Sequence, residues 1–311
     1  MEHLNVSVSP HFFSKRTTQN IMLDVIIALM PALIASVIIF GWRSLLITVV
    51  CIACCVLSEY VFRKICKKDN TIADLSAVVT GLLLAFNLPV TIPVWQAIIG
   101  SITAIIVVKQ LFGGIGQNFA NPAITARIIM LVAFSGSMTS WTFPQNSVDA
   151  LSGATPLAAA SKGLSSGVDY ITLLLGNHGG CLGETCALAI ILGGIYLLIR
   201  KVITWHIPVA FISTVAVMSF LCGHDTLYQI LSGGLLLAAF FMATDYSTSP
   251  STPWGKIIIG IGCGLITILI RFWGSLPEGV SYSILLMNIL TPYISRLTKQ
   301  KPLGALGGAK S

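Results

Sequence analysis

The chain has 311 residues, of which 55% are hydrophobic and only 9% charged, with a mean hydropathy of +0.88. A soluble globular chain carries roughly 25% charged residues, so this one cannot clothe a water-facing surface; disorder, collagen, a coiled coil and a disulfide-stapled secreted domain are excluded too. What remains is an all-α polytopic membrane protein, in which the net charge of +7 reports orientation rather than affinity for nucleic acid.

The first 20 residues are polar, and no small-residue cleavage site follows the first apolar run, so no cleavable signal peptide is expected. A spanning helix needs about 20 apolar residues, within a range of roughly 17–25. Ten runs are predicted to span: 21–41, 44–62, 74–88, 93–109, 119–135, 181–199, 203–222, 226–243, 256–273 and 280–297. The third is short and ends at Asn87-Leu88-Pro89, so the third and fourth also read as one broken pair. The Gly-rich stretch 110–121 is expected to dip partly into the membrane. Residues 136–180 form the only long polar connection.

Alternating ten spans from a cytoplasmic N-terminus puts 14 Lys and Arg inside, among them Arg63, Lys64, Lys67, Lys68 and Lys109. Only Arg43, Lys162 and Arg271 fall outside. The bias predicts cytoplasmic termini and an outward-facing loop 136–180. An internal repeat supports five spans per half. Gly81-Leu82-Leu83-Leu84-Ala85 recurs as Gly234-Leu235-Leu236-Leu237-Ala238, and Pro93-Val94-Trp95 is answered by Pro253-Trp254. Lys109–Gly113 is answered by Arg271–Gly274, and Asn121-Pro122 by Thr291-Pro292. An odd number of spans per repeat makes the halves inverted. The expected organisation is one membrane domain over 1–311: a first repeat 21–135, the loop 136–180, a second repeat 181–297 and a cytoplasmic tail 298–311.

Intramembrane charge is costly and marks Arg127, in Asn121–Arg127, as a candidate. It reads either as a partner for a phosphate or anionic ring or as half of a structural ion pair. Asp24, Glu59, Asp74 and Asp245 lie at span ends and read as solvated caps, with a cation path as the alternative. Asn118, Asn121 and Asn288 read as amides that tie helices together; Asn118 and Asn121 are also candidate cofactor contacts. Cys51, Cys54 and Cys55 read as small buried residues, and no His/Cys spacing suits a metal. No dinucleotide, P-loop or haem motif occurs, so the chain supplies no catalytic set of its own. In Asp149-Ala150-Leu151-Ser152-Gly153-Ala154-Thr155-Pro156-Leu157, Thr155 suits a helix N-cap and Pro156 the first helical position.

Several stretches together resemble the RnfD family, a membrane component of the Rnf electron-transport complex. They are Ser9-Pro10-His11, Asp24–Ala32, Leu82–Phe86 with Asn87-Leu88-Pro89, Lys109–Phe119 running on to Asn121-Pro122-Ala123, and Asp149–Thr155. The sister family, NqrB of the sodium-pumping NADH:quinone oxidoreductase, shares the last motif but has a longer N-terminus. The resemblance implies a scaffold like the urea- and ammonium-channel inverted repeats. It also implies FMN joined through its phosphate to Thr155, with Asp149, Ser152, Gly153 and Ala154 as the attachment motif. A transferase acting on the outer side needs an exposed Thr155 hydroxyl, since a threonine without an adjacent base is a poor nucleophile. The family further implies a noncovalent flavin such as riboflavin and other Rnf proteins as partners. Electrons then pass between ferredoxin and NAD with Na⁺ or H⁺ pumping across a bacterial cytoplasmic membrane. The alternatives are a component of the quinone-linked pump, a channel or transporter without redox chemistry, or a membrane anchor for partner enzymes.

Overall fold

The computed structural model describes residues 16–141, 155, 157, 169–176, 178–184, 186–274 and 279–299. Every regular element among them is helical. Helices α1 (Thr18–Phe40) and α2 (Trp42–Ile65) are joined by Gly41, whose φ of 77° lies in the left-handed region that glycine enters freely. There follow α3 (Ser76–Phe86), α4 (Val94–Ile102), which continues as a π-helix to Gln110, α5 (Pro122–Ala133) and the short α6 (Ser135–Met138). The second half holds α7 (Tyr170–Leu175), α8 (Ala187–Ile199), α9 (His206–Leu221) and α10 (Thr226–Leu231). It ends with α11 (Leu235–Leu237, then a π-helix to Met242), α12 (Pro253–Trp273) and α13 (Val280–Leu297).

Local sequence explains the starts. Asn121 caps α5 by accepting from Ala123 and Ile124 N–H, and Thr252 caps α12 by accepting from Gly255 N–H. Each cap is followed by proline, whose missing N–H costs nothing at the first helical position. Among the described residues three helices, α1, α2 and α12, are long and apolar enough to cross a membrane. Ile38 on α1 is 77% exposed and Val49 on α2 is 55% exposed, an outward apolar face that suits hydrocarbon and not water. The chain is a membrane protein.

Each predicted run contains a helix, but three differ from a plain span. In the sixth run the helix begins only at Ala187, and residues 182–184 form a turn. There Gly183 N–H donates to Phe86 O at 2.9 Å and Leu182 N–H to Leu88 O at 3.2 Å. A Cβ on Gly183 would stand 2.5 Å from Phe86 Cβ, so only glycine allows this approach. These bonds satisfy carbonyls that the end of α3 leaves open. The eighth run breaks between α10 and α11 at Gly233, with φ 71°. The fourth widens into the π-helix Thr103–Gln110. The Gly-rich stretch is a series of turns, with Gly113, Gly114 and Gly116 all at positive φ.

The two halves meet through α1 against α8 and α5 against α13. Within them, α2 packs on α3 and α4 as α9 packs on α10 and α12. The matched cations also correspond. Lys109, ending the π-helix, reaches Ser76 Oγ at 2.7 Å, and Arg271, near the end of α12, reaches Gln229 O at 2.6 Å. Both are buried in the bundle (2% and 3% exposed) and are not loop charges, as the orientation count had them. One match does not correspond: Pro122 opens α5, whereas Pro292 lies inside α13.

Candidate functional site

Thr155 is 5% exposed and Leu157 3%, so the hydroxyl expected to be open is covered in the folded chain. Two residues on, Leu157 lines a cavity with Asn87, Arg127, Glu184, Arg271 and Ser281. Leu157 and Arg271 meet over Gly233: a Cβ there would stand 3.2 Å from each. Asp149, Ser152, Gly153, Ala154 and most of the helix expected at 156–162 lie outside the described residues.

Arg127 projects from α5 and its NH1 donates to Asn87 Oδ1 at 2.7 Å. NH2 lies 3.4 Å from Cys181 Sγ and 3.5 Å from Glu184 Oε1. Asn87 also donates to Leu83 O at 2.6 Å, which fixes its amide at the end of α3. The pair with a carboxylate is therefore present, in a site where burial removes water from both charges. The pair sits in the wall of the cavity that Leu157 lines.

Asn121 is engaged at both ends: Oδ1 caps α5 and Nδ2 donates to Met242 O at 3.3 Å. Asn118 lines a separate, mostly apolar cavity of about 230 Å³ with Asn121, Lys109, Thr80, Phe240 and Asp245. Its Oδ1 has no hydrogen-bond donor among the described residues.

The carboxylates read as solvated caps are not all so. Glu59 is 1% exposed and accepts from Lys109 Nζ at 2.7 Å and Thr71 Oγ1 at 2.8 Å. Asp24 is 6% exposed and pairs with Arg200 at 3.1 Å. Tyr196 donates to the same carboxylate at 3.1 Å. Tyr170, outside the predicted spans, donates to the Asp225 carboxylate, which raises the phenol above its ordinary value. No disulfide joins two cysteines among the described residues. No cluster of three metal-ligating side chains occurs among the described residues.

Sequence reasoning passed over Glu184, Asn87 and the buried placing of Arg271. The available signal for Glu184 was its own position: a carboxylate after Gly179-Gly180-Cys181-Leu182-Gly183, inside an apolar run.

Comparison with known proteins gives a family model, described as NQR2, RnfD, RnfE, that matches residues 5–304. The D subunit of the Na(+)-translocating ferredoxin:NAD(+) oxidoreductase complex of Acetobacterium woodii is 48% identical over 306 residues, covering 97% of this chain and 96% of that one. The proton-translocating counterpart of Clostridium ljungdahlii is 40% identical over 316 residues, covering 96% of each. The corresponding protein of the ion-translocating oxidoreductase complex of Stutzerimonas stutzeri is 36% identical over 329 residues, covering 93% of each. With a match along nearly its whole length, the chain belongs to the NQR2, RnfD, RnfE family.

Proposed function

We propose that this chain is the membrane flavoprotein of an ion-translocating ferredoxin:NAD⁺ oxidoreductase complex, carrying FMN through a phosphoester on Thr155. The carrying observation is the burial of Thr155 two residues before Leu157, which lines a small cavity with Arg127, Arg271 and Glu184. When bound, FMN supplies the capacity to take and pass electrons. The chain's own part is to tether it at Thr155 Oγ1, to favour its anionic phosphate with guanidinium groups, and to exclude water. The two arginines suit the anionic phosphate end of the group, while the space of about 10 Å³ among them admits no flavin ring. We place the second, noncovalent flavin in the cavity of Asn118, whose orphan carbonyl suits a ring N–H or a hydroxyl.

In this reading the ten runs span a bacterial cytoplasmic membrane as two inverted five-helix repeats, with both termini in the cytoplasm. Partners are the other proteins of the complex, membrane lipid and a flavin transferase. Relatives are named for Na⁺ and for protons, so their names leave the ion open. The direct test is the tryptic peptide 128–162 from cells making the transferase. It should carry the mass of FMN less one water, and the chain should fluoresce as a band on a denaturing gel. An unmodified peptide from an active complex sinks the assignment.

Topology has its own test. A reporter placed within 64–70, or after Lys310, should report the cytoplasm, and one within 161–168 the outside. Cytoplasmic labelling of 161–168 would overturn the ten-span arrangement.

A further inference from the structure

Beside the closely packed pair α9 and α12 runs an open groove of about 410 Å³. Val209, Ser213 and Val217 form its α9 wall; four residues apart, they share one helix face. Ile257 and Ile261 of α12 form the other wall. Between them lie Ala210 and Thr214, where the helices touch: a Cβ on Gly260 would stand 2.6 Å from Ala210 Cβ, and one on Gly264 2.6 Å from Thr214 Cβ. The groove faces away from the bundle, since Val209 is 52% and Val217 57% exposed. One end is polar. Lys256 Nζ donates to Thr204 Oγ1 at 3.1 Å. Thr204 precedes Trp205 and Lys256 precedes Ile257, and both successors line the groove, so the ammonium group stands at its mouth. Trp205, 57% exposed, stacks on His206 there, with ring centroids 4.3 Å apart. Residues 200–214 and 252–264 carry Lys201, Lys256 and Arg200, which Asp24 engages, and no carboxylate.

The depth of the groove limits what fits. On α9 it runs from Trp205 to Met218, about 20 Å at 1.5 Å per residue. On α12 it is lined only by Ile257 and Ile261, in the first half of that helix. A spanning helix of a partner would need a facing surface along roughly 30 Å of hydrocarbon, whereas one acyl chain needs a single leaflet, about 15 Å. We propose that the groove binds an anionic phospholipid of the leaflet at the Lys256 end. One acyl chain lies along Val209, Ser213 and Ile261, and the phosphate accepts from Lys256 Nζ. An ammonium group has three donors and Thr204 takes one, so the phosphate meets a cation with donors to spare. Trp205 sits at the headgroup level, where an indole is favoured. A zwitterionic lipid brings its own cation to this basic mouth, so the site selects by net charge.

The test uses the full chain in detergent, mixed with phosphatidylglycerol or with phosphatidylcholine of the same acyl chains. Native mass spectrometry counts the lipid retained. The wild-type chain should retain phosphatidylglycerol in preference to phosphatidylcholine. Lys256→Gln should bind phosphatidylglycerol about fivefold more weakly, the loss expected for one cation near a headgroup. Ser213→Trp fills the groove from an exposed position and should lose the retained molecule. Val49→Trp, on the outward face of α2, should keep it. Equal retention of the two lipids by the wild-type chain overturns the proposal, and so does wild-type retention by Ser213→Trp. Ser213→Leu serves if the tryptophan chain does not fold; it should weaken retention, and unchanged retention overturns the proposal as well. A photo-crosslinker at Val217, activated in cell membranes, should capture lipid. Capture of another protein instead makes the groove a contact between proteins and overturns the lipid site.

Discussion

Thr155→Ala should leave the chain inserted in the membrane and wholly without covalent flavin. Insertion depends on the apolar runs, and one methyl-bearing alcohol contributes almost nothing to them. Attachment depends on a single oxygen, and alanine has none. Thr155→Ser keeps that oxygen and should be modified in part. The burial of Thr155 adds a condition, since a transferase cannot reach a hydroxyl that is 5% exposed. Under the proposed attachment, modification therefore precedes the burial of Thr155. Transferase added to the already folded, unmodified chain should label it slowly, and mild loosening by detergent should speed the labelling. Rapid labelling of the folded chain would contradict that order, and a fluorescent Thr155→Ala chain would refute the attachment site.

The largest stability effect is expected at the buried Lys109–Glu59 pair of the first half. Lys109 and Glu59 are 3% and 1% exposed by side chain and stand 2.7 Å apart. Removing one partner of a buried pair leaves an uncompensated charge and costs about 3–5 kcal/mol. Arg63, 3.9 Å from Glu59, offsets part of this in Lys109→Leu, which places the expected loss near ~3 kcal/mol. The double variant Glu59→Leu/Lys109→Leu removes both charges and should be more stable than Lys109→Leu alone. Thermal unfolding in detergent reads both. A double variant weaker than the single would show that the pair does more than neutralise itself.

Much of this was legible in the residues. Capping pairs such as Asn121-Pro122 and Thr252-Pro253 mark where α5 and α12 begin, because both devices act within four residues. Apolar length finds the runs because hydrocarbon thickness sets it. The sixth run was misread between 181 and 186 because hydropathy counts side chains, whereas Gly183 is held there by a backbone bond to Phe86. Glu59 read as a solvated cap for a similar reason. Its partner Lys109 lies 50 residues away, on a different helix, and nothing local announces it. Arg127 stood between two readings, and its carboxylate, Glu184, comes from a segment that looked like a helix interior. Long-range polar pairing is what a linear reading loses, and it is what builds the site.

The two backbone bonds from residues 182 and 183 to the end of α3 also set a timetable for synthesis. Their acceptors, Leu88 O and Phe86 O, are made almost a hundred residues before their donors. At roughly 5–20 residues per second, the nascent chain waits about 5–20 s with those carbonyls lacking these donors. Lipid offers them nothing in that interval. A ribosome stalled between the two segments should therefore hold a first half that insertion factors or stray water must attend. The nascent protein supplies its own donors to this end of α3 only after residue 183 has emerged.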